Sequence, residues 1–504
     1  MSESSTEMST GTARNAFRRV IAELFSFPVM CMFLLAVVIF QISVKQIADP
    51  DVWWHLRNAA YLVQHHSFPN VDTYSFGAAG SPWLDFEWLS ELPYFFSFSI
   101  MGQHGLLILF FGLLVLIYAG VYYRSCRAGA DCKNATLTTL LAIALATVSI
   151  GPRTLLFGWL CMVALLIVLD HFQRTGKGQW FLPPLFALWI NLHGSWIFGS
   201  IVLILVFASG LVEGKWGVVV ARKWTPSELK NLLLASVASV AALFVNPFGY
   251  KLLLYPLDLV FRQASAVRYV QEWNSVDFST GRGKLAMLVL FAFLISALFS
   301  RRKWKLDEVL LMAFALWAGF SHVRLLFFTG LIVAPIFAPR LDLFPPYEPD
   351  LDKRWLNAGI MAAVVAWIVF AFPSAANLQQ QINEQFPVTA LKFLQSHQLS
   401  GKIFNQYGWG GYMEWNTPAV KPFIDGRADI FVYNGTLGEY ASAVTLQAPY
   451  KVLDKYNFDY ALLPADEPLT YLLTHSSAWR PIYSDNVAVW LRRNPSTTST
   501  SAAN

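Results

Sequence analysis

Two aspartates follow the first long apolar run of this 504-residue chain, in the stretch "ADPDVWWHLRN". A carboxylate at such a place can act as a general base toward a hydroxyl group, or hold that group in position. Asp49 and Asp51 are two residues apart, so the pair can also hold a divalent cation, Mg²⁺ or Mn²⁺, although the spacing does not require one. A structural role for Asp51 stays open as well, because aspartate is a preferred N-cap of α-helices.

The residues after Asp51 predict an amphipathic helix that lies in a membrane interface. Trp53, Leu56 and Ala60 recur at three- and four-residue spacing, as the apolar face of such a helix requires. Trp53 and Trp54 would anchor this helix at the membrane surface. His55 is interpreted as a polar residue of the interface or of an acceptor rim, because no set of metal ligands accompanies it.

A second interfacial helix is predicted from Trp83 onward. Glu87 and Glu91 fall on one face of that helix, away from its apolar stripe. A solvated helix face is the simplest interpretation of these two carboxylates.

Three basic residues stand at the ends of other apolar runs. Arg153 follows a Gly-Pro pair, His193 lies in "NLHGSW", and Arg324 lies in "SHVR". A charge at this depth usually faces a cavity or a partner, and arginine suits phosphate because its planar donors can bind two oxygens. Binding of a donor phosphate is therefore predicted here, with snorkelling of the arginines and helix packing by His193 as the structural alternatives.

The elements that must position these residues are membrane helices. The chain is 55% hydrophobic and 14% charged, and its mean hydropathy is +0.44. The net charge of +5 does not indicate nucleic-acid binding, because many basic residues occupy short loops between apolar runs. The four cysteines lie in or beside apolar runs without metal-ligand spacing, which argues against a disulfide framework or a zinc site.

About eleven membrane spans are predicted, after a cytoplasmic tail of residues 1–23. Their positions are 24–46, 104–123, 135–150, 155–170, 180–192, 196–212, 232–245, 285–299, 309–320, 325–338 and 356–372. Five alternate loops are basic, which places them and the N-terminus in the cytoplasm, although the outer loop 246–284 is basic too. The first loop (47–103) and all the residues singled out above then lie on the outer side.

An extracytoplasmic α/β domain is predicted for residues 373–493, followed by a disordered tail, 494–504. Strand-like stretches such as "KIFNQ", "KPFID", "DYALLP" and "VAVWLRR" alternate there with helical ones. Polar and aromatic residues of this domain and of the loop before it are candidates for a rim or acceptor site. They are Glu272, Tyr407, Trp409, Asp425 and Arg427. A turn salt bridge is the alternative for the last two.

This arrangement resembles that of the GT-C superfamily of membrane glycosyltransferases. The resemblance rests on a span followed by an outer loop that begins with an acid, on two interfacial helices and on a C-terminal outer domain. The superfamily's protein mannosyltransferase and lipid A aminoarabinose transferase branch is the most similar. The resemblance implies a polyprenyl-phosphate-linked sugar donor, a bacterial inner membrane, and a catalytic aspartate at Asp51 or Asp49. It also implies a second first-loop acid at Glu87 or Asp85, although "SPWLDFEW" departs from the usual Pro-rich stretch.

The sequence therefore predicts a multi-pass membrane enzyme that transfers a sugar from a lipid-linked donor to an unidentified lipid, glycan or protein acceptor. The stretch "NQYGWGGYMEW" resembles the "WWDYG" region of oligosaccharyltransferases without its Trp-Trp-Asp, so protein glycosylation is an alternative. A non-enzymatic transporter or an assembly factor of the cell envelope is another, although neither repeat symmetry nor broken helices indicate transport.

Reporter fusions test the predicted orientation. A reporter fused after Phe372 is expected to be active only on the outer side, because five alternate loops before it are basic. Fusions after Lys177 and after Lys223 serve as controls and should report the cytoplasm. Cytoplasmic activity of the Phe372 fusion would contradict the prediction that the site residues share the outer side.

Overall fold

The computed structural model of the protein describes residues 20, 22–262, 271–299 and 302–494. Most of the predicted cytoplasmic tail, 1–23, and of the predicted disordered tail, 494–504, lies outside these residues. Within the described part the chain is mainly helical, with two small sheets.

Every predicted span overlaps a helix. The helices of this region are α1 (Phe27–Lys45), α2 (Asp51–His65), α3 (Trp88–Met101), α4 (Gln103–Arg127), α5 (Cys132–Ala146), α6 (Leu155–Thr175), α7 (Leu182–Leu192), α8 (Trp196–Ser209), α9 (Pro226–Ala242), α10 (Tyr250–Arg262), α11 (Gly281–Phe299), α12 (Leu306–Ser321), α13 (Leu326–Phe337) and α14 (Arg354–Phe370). A small sheet of β1 (Gly214–Trp216), β2 (Val219–Ala221) and β3 (Trp304–Lys305) joins two of the loops.

Fewer helices than predicted have the length of a membrane span. Within the described residues, α1, α4, α6 and the stretch Val323–Arg340 around α13 are long and apolar enough to cross a membrane. A fifth crossing results if α14 and the following helix, α15 (Ala375–Gln385), form one span bent by 63°. Other apolar helices at predicted span positions, such as α5 and α8, are shorter. Four or five crossings are thus supported, and the number eleven stays a prediction.

The site residues and the basic loops lie at opposite ends of the helices. Arg153 precedes α6 and Arg324 precedes α13, on the side of the first loop. At the other end of α4 and α6, Arg124 pairs with Asp170 at 2.7 Å, and Arg340 after α13 pairs with Glu308 at 2.6 Å. The polar site residues therefore share one end of the bundle, and which compartment that end faces stays a prediction.

The first loop contains both predicted helices, but neither lies on an open surface. Trp53 and Trp54 of α2 are buried, and Trp53 packs edge-on against Tyr412 with ring centroids 4.9 Å apart. Glu87 is 8% exposed and Glu91 is fully buried, so the solvated face predicted for them is wrong. The sequence pattern could not reveal this, because the residues that cover the two helices come from distant parts of the chain.

The second interfacial helix also begins later than predicted. The chain is still extended at Trp83, whose N–H donates to the carbonyl of Asn70 at 3.1 Å. The carboxylate of Asp85 then accepts the N–H of Glu87 at 3.3 Å in a turn, and α3 starts only at Trp88. Such local side-chain bonds to the backbone compete with helical pairing and delay the start of the helix.

The C-terminal domain combines helices with a four-stranded mixed sheet. Its strands are β4 (Ile403–Asn405), β5 (Tyr460–Pro464), β6 (Trp479–Ser484) and β7 (Ala488–Arg493), in the order β4-β5-β7-β6. Only β4 and β5 are parallel. Its helices after α15 are α16 (Val388–Ser396), α17 (Gly410–Asn416), α18 (Ala428–Tyr433), α19 (Thr436–Val444), α20 (Pro449–Tyr456) and α21 (Pro468–Thr474). The predicted strand at "KPFID" is only an isolated bridge from Ile403 to Pro422.

The domain packs directly on the first loop. One apolar core includes Val52 of α2, Leu156 of α6 and Met413 of α17. Gly411 of α17 lies so close to the backbone of Trp54 that an added Cβ would be 3.0 Å from its nitrogen. Part of the glycine-rich stretch "NQYGWGGY" thus serves helix packing of α17 on α2.

Arg427 ties the C-terminal domain to the first loop through buried charges. Its Nη2 lies 2.6 Å from Asp425, 2.8 Å from Asp72 and 3.6 Å from Glu414, and the side chain is 1% exposed. Nε also donates to Asp425 at 2.9 Å. We call these four residues the Arg427 clasp. Asp425 and Arg427 thus form the turn salt bridge that the sequence offered as the alternative, and they do not line an exposed rim.

Replacing Arg427 by methionine is expected to lower the unfolding free energy by about 3–5 kcal/mol, because it leaves buried carboxylates without their cation. The matched control is Lys455→Met, which breaks an exposed pair with Glu439 and should cost less than about 1 kcal/mol. Urea titration of the detergent-solubilised variants, followed by tryptophan fluorescence, measures both. Equal small losses would show that the clasp does not hold the domain in place.

Candidate active site

Five charged residues meet where the first loop, α6 and two further loops approach each other. Nε of Arg153 lies 2.7 Å from Asp49 and 3.5 Å from Asp51, and its Nη1 lies 3.2 Å from Glu272. The other carboxylate oxygen of Glu272 is 3.6 Å from Nη1 of Arg324. These residues form the arginine–carboxylate cluster. It joins segments that are up to 275 positions apart in the chain and that sequence reasoning had singled out separately.

Asp49, rather than Asp51, bonds the start of helix α2. Its Oδ1 accepts the N–H of Asp51 at 2.9 Å, while its Oδ2 accepts from Arg153. No side chain bonds the helix end from the N-cap position, which Pro50 occupies. The carboxylate of Asp51 is therefore not needed as a cap. This removes the structural alternative that the sequence left open for it.

Arg153 is fixed on several sides. The hydroxyl of Tyr94 donates to its carbonyl at 3.0 Å. Gly151, two residues earlier, has no room for a side chain because a Cβ would clash with Asp49. Because three carboxylates surround its guanidinium, Arg153 holds these acids in place.

Glu272 and Arg324 are positioned by contacts between their own loops. The Nδ1–H of His322 donates to the carbonyl of Trp273 at 2.7 Å, and the N–H of Val323 donates to the carbonyl of Asn274 at 2.9 Å. The guanidinium of Arg324 also lies 5.7 Å from the ring centre of Trp273. Its side chain is 26% exposed and, among the described residues, makes one long ion pair, so Arg324 is more available to a ligand than Arg153.

The surroundings of Asp51 suit a general base. Removal from water raises the pKa of Asp51 to about 6, and the charge of Arg153 opposes this rise. Asp49 and Glu272 add to it. At neutral pH the carboxylate is ionised, yet it is more basic than an ordinary aspartate, which is the property that proton abstraction needs.

A second group of polar side chains surrounds His55 and Asn58 of α2, and we call it the buried acid pocket. Its acids are Asp85, Glu87 and Glu91, and its other members are His55, Asn58, Thr154 and His193. Glu87 accepts from Thr154 at 2.7 Å and lies 3.1 Å from Nε2 of His193. Asn58 donates to both Asp85 and Glu91 at 2.6 Å, and Glu91 lies 2.9 Å from Nδ1 of His55.

The acids of the pocket are not paired with cations, and burial disfavours their charged forms. Among the described residues, no lysine or arginine lies within ion-pair distance of the three acids. Burial raises the pKa of Asp85 to about 7 and that of Glu87 to about 8, and it raises the pKa of Glu91 as well. Burial also lowers the pKa of His193 to about 3. At pH 7 the protonated form of Glu87 and the neutral form of His193 are therefore favoured, and Asp85 is about half protonated.

The tautomer of His193 follows from its neighbours. Its Nδ1 accepts the backbone N–H of Ser195 at 3.0 Å, so the proton of the neutral ring is on Nε2, which faces Glu87. His193 thus belongs to the buried acid pocket and not to the arginine–carboxylate cluster. It stands directly after Leu192, which lines the groove described next.

An apolar groove of about 630 Å³ begins beside this pocket. It runs between α3, α6 and α7, and its walls are entirely apolar. Leu89, Leu92, Phe157, Leu185 and Leu192 are among the residues that line it. Phe157 and Tyr94, with ring centroids 6.0 Å apart, connect the groove to the backbone of Arg153. An acyl or prenyl chain fits a groove of this character, which lies beside polar groups at one end.

The remaining predicted residues are more scattered. Tyr407 is half-buried, and its hydroxyl donates to the carbonyl of Gly426 beside Asp51 at 3.1 Å. Trp54 is buried against Gly411 and Gly426. Trp409 is buried too, and its Nε1 donates to the carbonyl of Gln385 at 2.9 Å. Trp409 therefore supports the domain and does not line a rim.

Sequence reasoning missed several polar residues of these groups. Asn58, Thr154, Asp72 and Glu414 carry no recognisable signal, because their partners in these groups lie on other elements of the fold. Glu91 offered a hint, since it follows Glu87 by four residues and so shares its helix face. That face was interpreted as solvated.

The first-loop aspartates do not form a ready metal site in this arrangement. Asp49 and Asp51 both face Arg153, and a divalent cation would have to displace that guanidinium. Among the described residues, no group of three or more histidine, cysteine, aspartate or glutamate side chains is arranged to hold a metal ion. We assign no chemical step to a metal.

The comparisons with known proteins are weak. No family model and no characterised protein matches the sequence. Among solved structures, the fold is similar to the apo crystal structure of an oligosaccharyltransferase from Archaeoglobus fulgidus, with a TM-score of 0.46 and 13% identity. The similarity covers 86% of this chain and 69% of that one. At this level the likeness by itself establishes neither a family nor an activity, so function has to be argued from the residues of this chain.

The buried acid pocket predicts that stability falls as pH rises. Glu87 and Asp85 hold their protons up to about pH 8 and 7 in the folded state but only to about 4 when unfolded. Their contribution is complete below about pH 4 and is lost as pH rises toward those values, by at most about 1.4 kcal/mol per pH unit for each group.

Unfolding at pH 5 to 8.5 tests this expectation in detergent. Glu87→Gln should flatten the decline, because glutamine resembles the protonated acid and does not titrate. Glu384→Gln, at an exposed glutamate, should leave the decline unchanged. If Glu87→Gln shows the same pH dependence as the wild type, Glu87 is not held protonated.

Proposed function

We propose that this protein is an integral membrane glycosyltransferase that moves a sugar from a polyprenyl-phosphate-linked donor to an acceptor outside the cytoplasm. The main support is the arginine–carboxylate cluster, which places a basic carboxylate and an accessible arginine together beside an apolar groove. Helices able to cross a membrane supply the setting in which such a donor is dissolved.

Asp51 is the proposed base. Its carboxylate accepts the proton of an acceptor hydroxyl while that oxygen attacks the anomeric carbon of the sugar. The bond from that carbon to the phosphate oxygen breaks, and the leaving phosphate keeps the electron pair. Asp51 is preferred to Asp49 because the latter is engaged by both the helix N-terminus and Arg153.

The two arginines have different proposed roles. Arg153 is surrounded by three carboxylates and keeps Asp51 ionised and oriented. Arg324 has a partly exposed side chain and, among the described residues, one long ion pair, so it is the group that binds the donor phosphate. His193 and Thr154 both contact Glu87 in the buried acid pocket, and they are secondary candidates for contact with the donor.

The apolar groove is the proposed site of the prenyl chain. Its lining is apolar, as a prenyl chain requires, and Tyr94 and Phe157 connect it to Arg153. The acceptor would approach from the opposite side, where Glu272, Tyr407 and the C-terminal domain surround Asp51. Whether that acceptor is a lipid, a glycan or a protein is left to substrate trials, which also test the oligosaccharyltransferase-like alternative.

Replacing Asp51 by asparagine is expected to lower transfer by about two to four orders of magnitude, the usual scale for a lost general base. Folding should be preserved, because Asp51 makes no capping bond. Transfer from radiolabelled polyprenyl-phosphate sugars to envelope acceptors measures the effect. In comparison, Asp49→Asn should lose stability as well as activity, because Asp49 bonds α2 and Arg153. A fully active Asp51→Asn variant would exclude this residue as the base.

The pH dependence of transfer supplies a second test. Activity should rise with pH through about 6 as Asp51 loses its proton. Arg324→Gln removes a positive charge that lowers the pKa of Asp51, so its acidic limb should move to higher pH and its KM for the donor should increase. An unchanged acidic limb and KM in this variant would contradict the role given to Arg324. Donor binding without any transfer would favour a transporter or assembly factor.

A further inference from the structure

The C-terminal domain reaches Asp51 directly through one residue, Gly426. A Cβ added to Gly426 would lie 2.5 Å from Oδ1 of Asp51 and 2.9 Å from Nε1 of Trp54. Real Cβ atoms essentially never approach other atoms so closely, so any side chain at this position must displace the carboxylate or the indole. The backbone of Gly426 is not in the left-handed region, so space alone, and not conformation, requires glycine here.

The turn that carries Gly426 is held rigidly. Asp425 and Arg427 on either side of it belong to the Arg427 clasp, and the N–H of Arg427 also donates to Asp425 at 2.8 Å. The carbonyl of Gly426 accepts from the hydroxyl of Tyr407 at 3.1 Å and from the N–H of Ala428 at 2.8 Å. The backbone that faces Asp51 is therefore fixed from both sides.

The two oxygens of Asp51 have different neighbours as a result. Oδ2 faces Arg153 at 3.5 Å, whereas Oδ1 is enclosed by Gly426 and the indole of Trp54. Trp54 follows Asp51 by three residues on α2, so the two side chains share a helix face. Its buried Nε1 has no hydrogen-bond partner among the described residues, which leaves a donor beside Oδ1.

We propose that Gly426 is a positioning residue for the reaction: by lacking a side chain, it lets the C-terminal domain close on Asp51 and fix the direction of its carboxylate. The inference rests on the proposed role of Asp51 as the base. It makes the C-terminal domain a wall of the active site rather than an appended module. The Arg427 clasp then has a functional consequence, because it presses this turn against α2.

Gly426→Ala is the direct test. The added methyl group pushes Oδ1 away, and the 3.5 Å separation from Arg153 leaves room for the carboxylate to move toward that cation. The kcat of transfer should fall by about 10- to 100-fold, as misplacement of a catalytic group by about 1 Å does. The KM for the donor should change little, because Gly426 does not contact Arg324.

A second readout does not depend on transfer. Dicyclohexylcarbodiimide modifies protonated carboxyl groups, so the pH dependence of its reaction at Asp51, followed by peptide mass spectrometry, reports the protonation of that residue. The midpoint should lie near pH 6 in the wild type and move to lower pH in Gly426→Ala. Gly359→Ala is the matched control, because Gly359 lies in α14 with open space around it. It should change neither readout.

Tyr407→Phe guards against misfolding of the alanine variant. It removes only the hydroxyl that holds the carbonyl of Gly426, and it should shift both readouts in the same direction by less. Labelling midpoints and kcat values equal to wild type in Gly426→Ala and Tyr407→Phe would overturn the proposal. If the labelling midpoint shifts in Gly426→Ala but the wild-type protein transfers no sugar, the positioning by Gly426 is supported and the glycosyltransferase assignment is refuted instead.

Discussion

The site depends on one guanidinium group. Arg153 stands just before α6 and binds carboxylates from the end of the first span, from the start of α2 and from the loop around Glu272. Without a cation at this point, three partly buried carboxylates would repel each other and the segments that carry them would separate. The long helices can pack through apolar contacts alone, but the polar segments above them need this charge to converge.

The sequence was informative where the relevant signal is local. Apolar runs predict a helix at each of the eleven positions, and residues at their ends, such as Asp51, Arg153 and Arg324, were identified because charges are costly beside a membrane. The number of spans is harder to predict from the sequence, because several of the helices are too short to cross a membrane. Apolar runs of about 10–14 residues fit buried or interfacial helices as well as short spans, so counting such runs does not give the number of spans.

The failures have a common physical cause. The spacing places Trp53, Trp54 and Glu87 on an interfacial or solvated face, but all three are buried. Their cover comes from other segments of the chain: Trp53 packs on Tyr412, and Glu87 contacts Thr154 and His193. Amphipathic spacing shows which residues share a helix face. It cannot show what covers that face.

The Arg427 clasp and the buried acid pocket contain similarly buried acids, but the pKa values of these acids differ because the arginines are distributed unevenly. In the Arg427 clasp the guanidinium keeps the pKa of Asp425 below its usual value, whereas Glu414, farther from it, has a raised pKa. In the buried acid pocket none of the described arginines forms an ion pair, and burial raises the pKa values of Glu87 and Glu91. Asp51 lies between these extremes, near one arginine that is shared with two other carboxylates. The distribution of a few guanidinium groups therefore determines which of many buried acids is ionised and still basic at neutral pH.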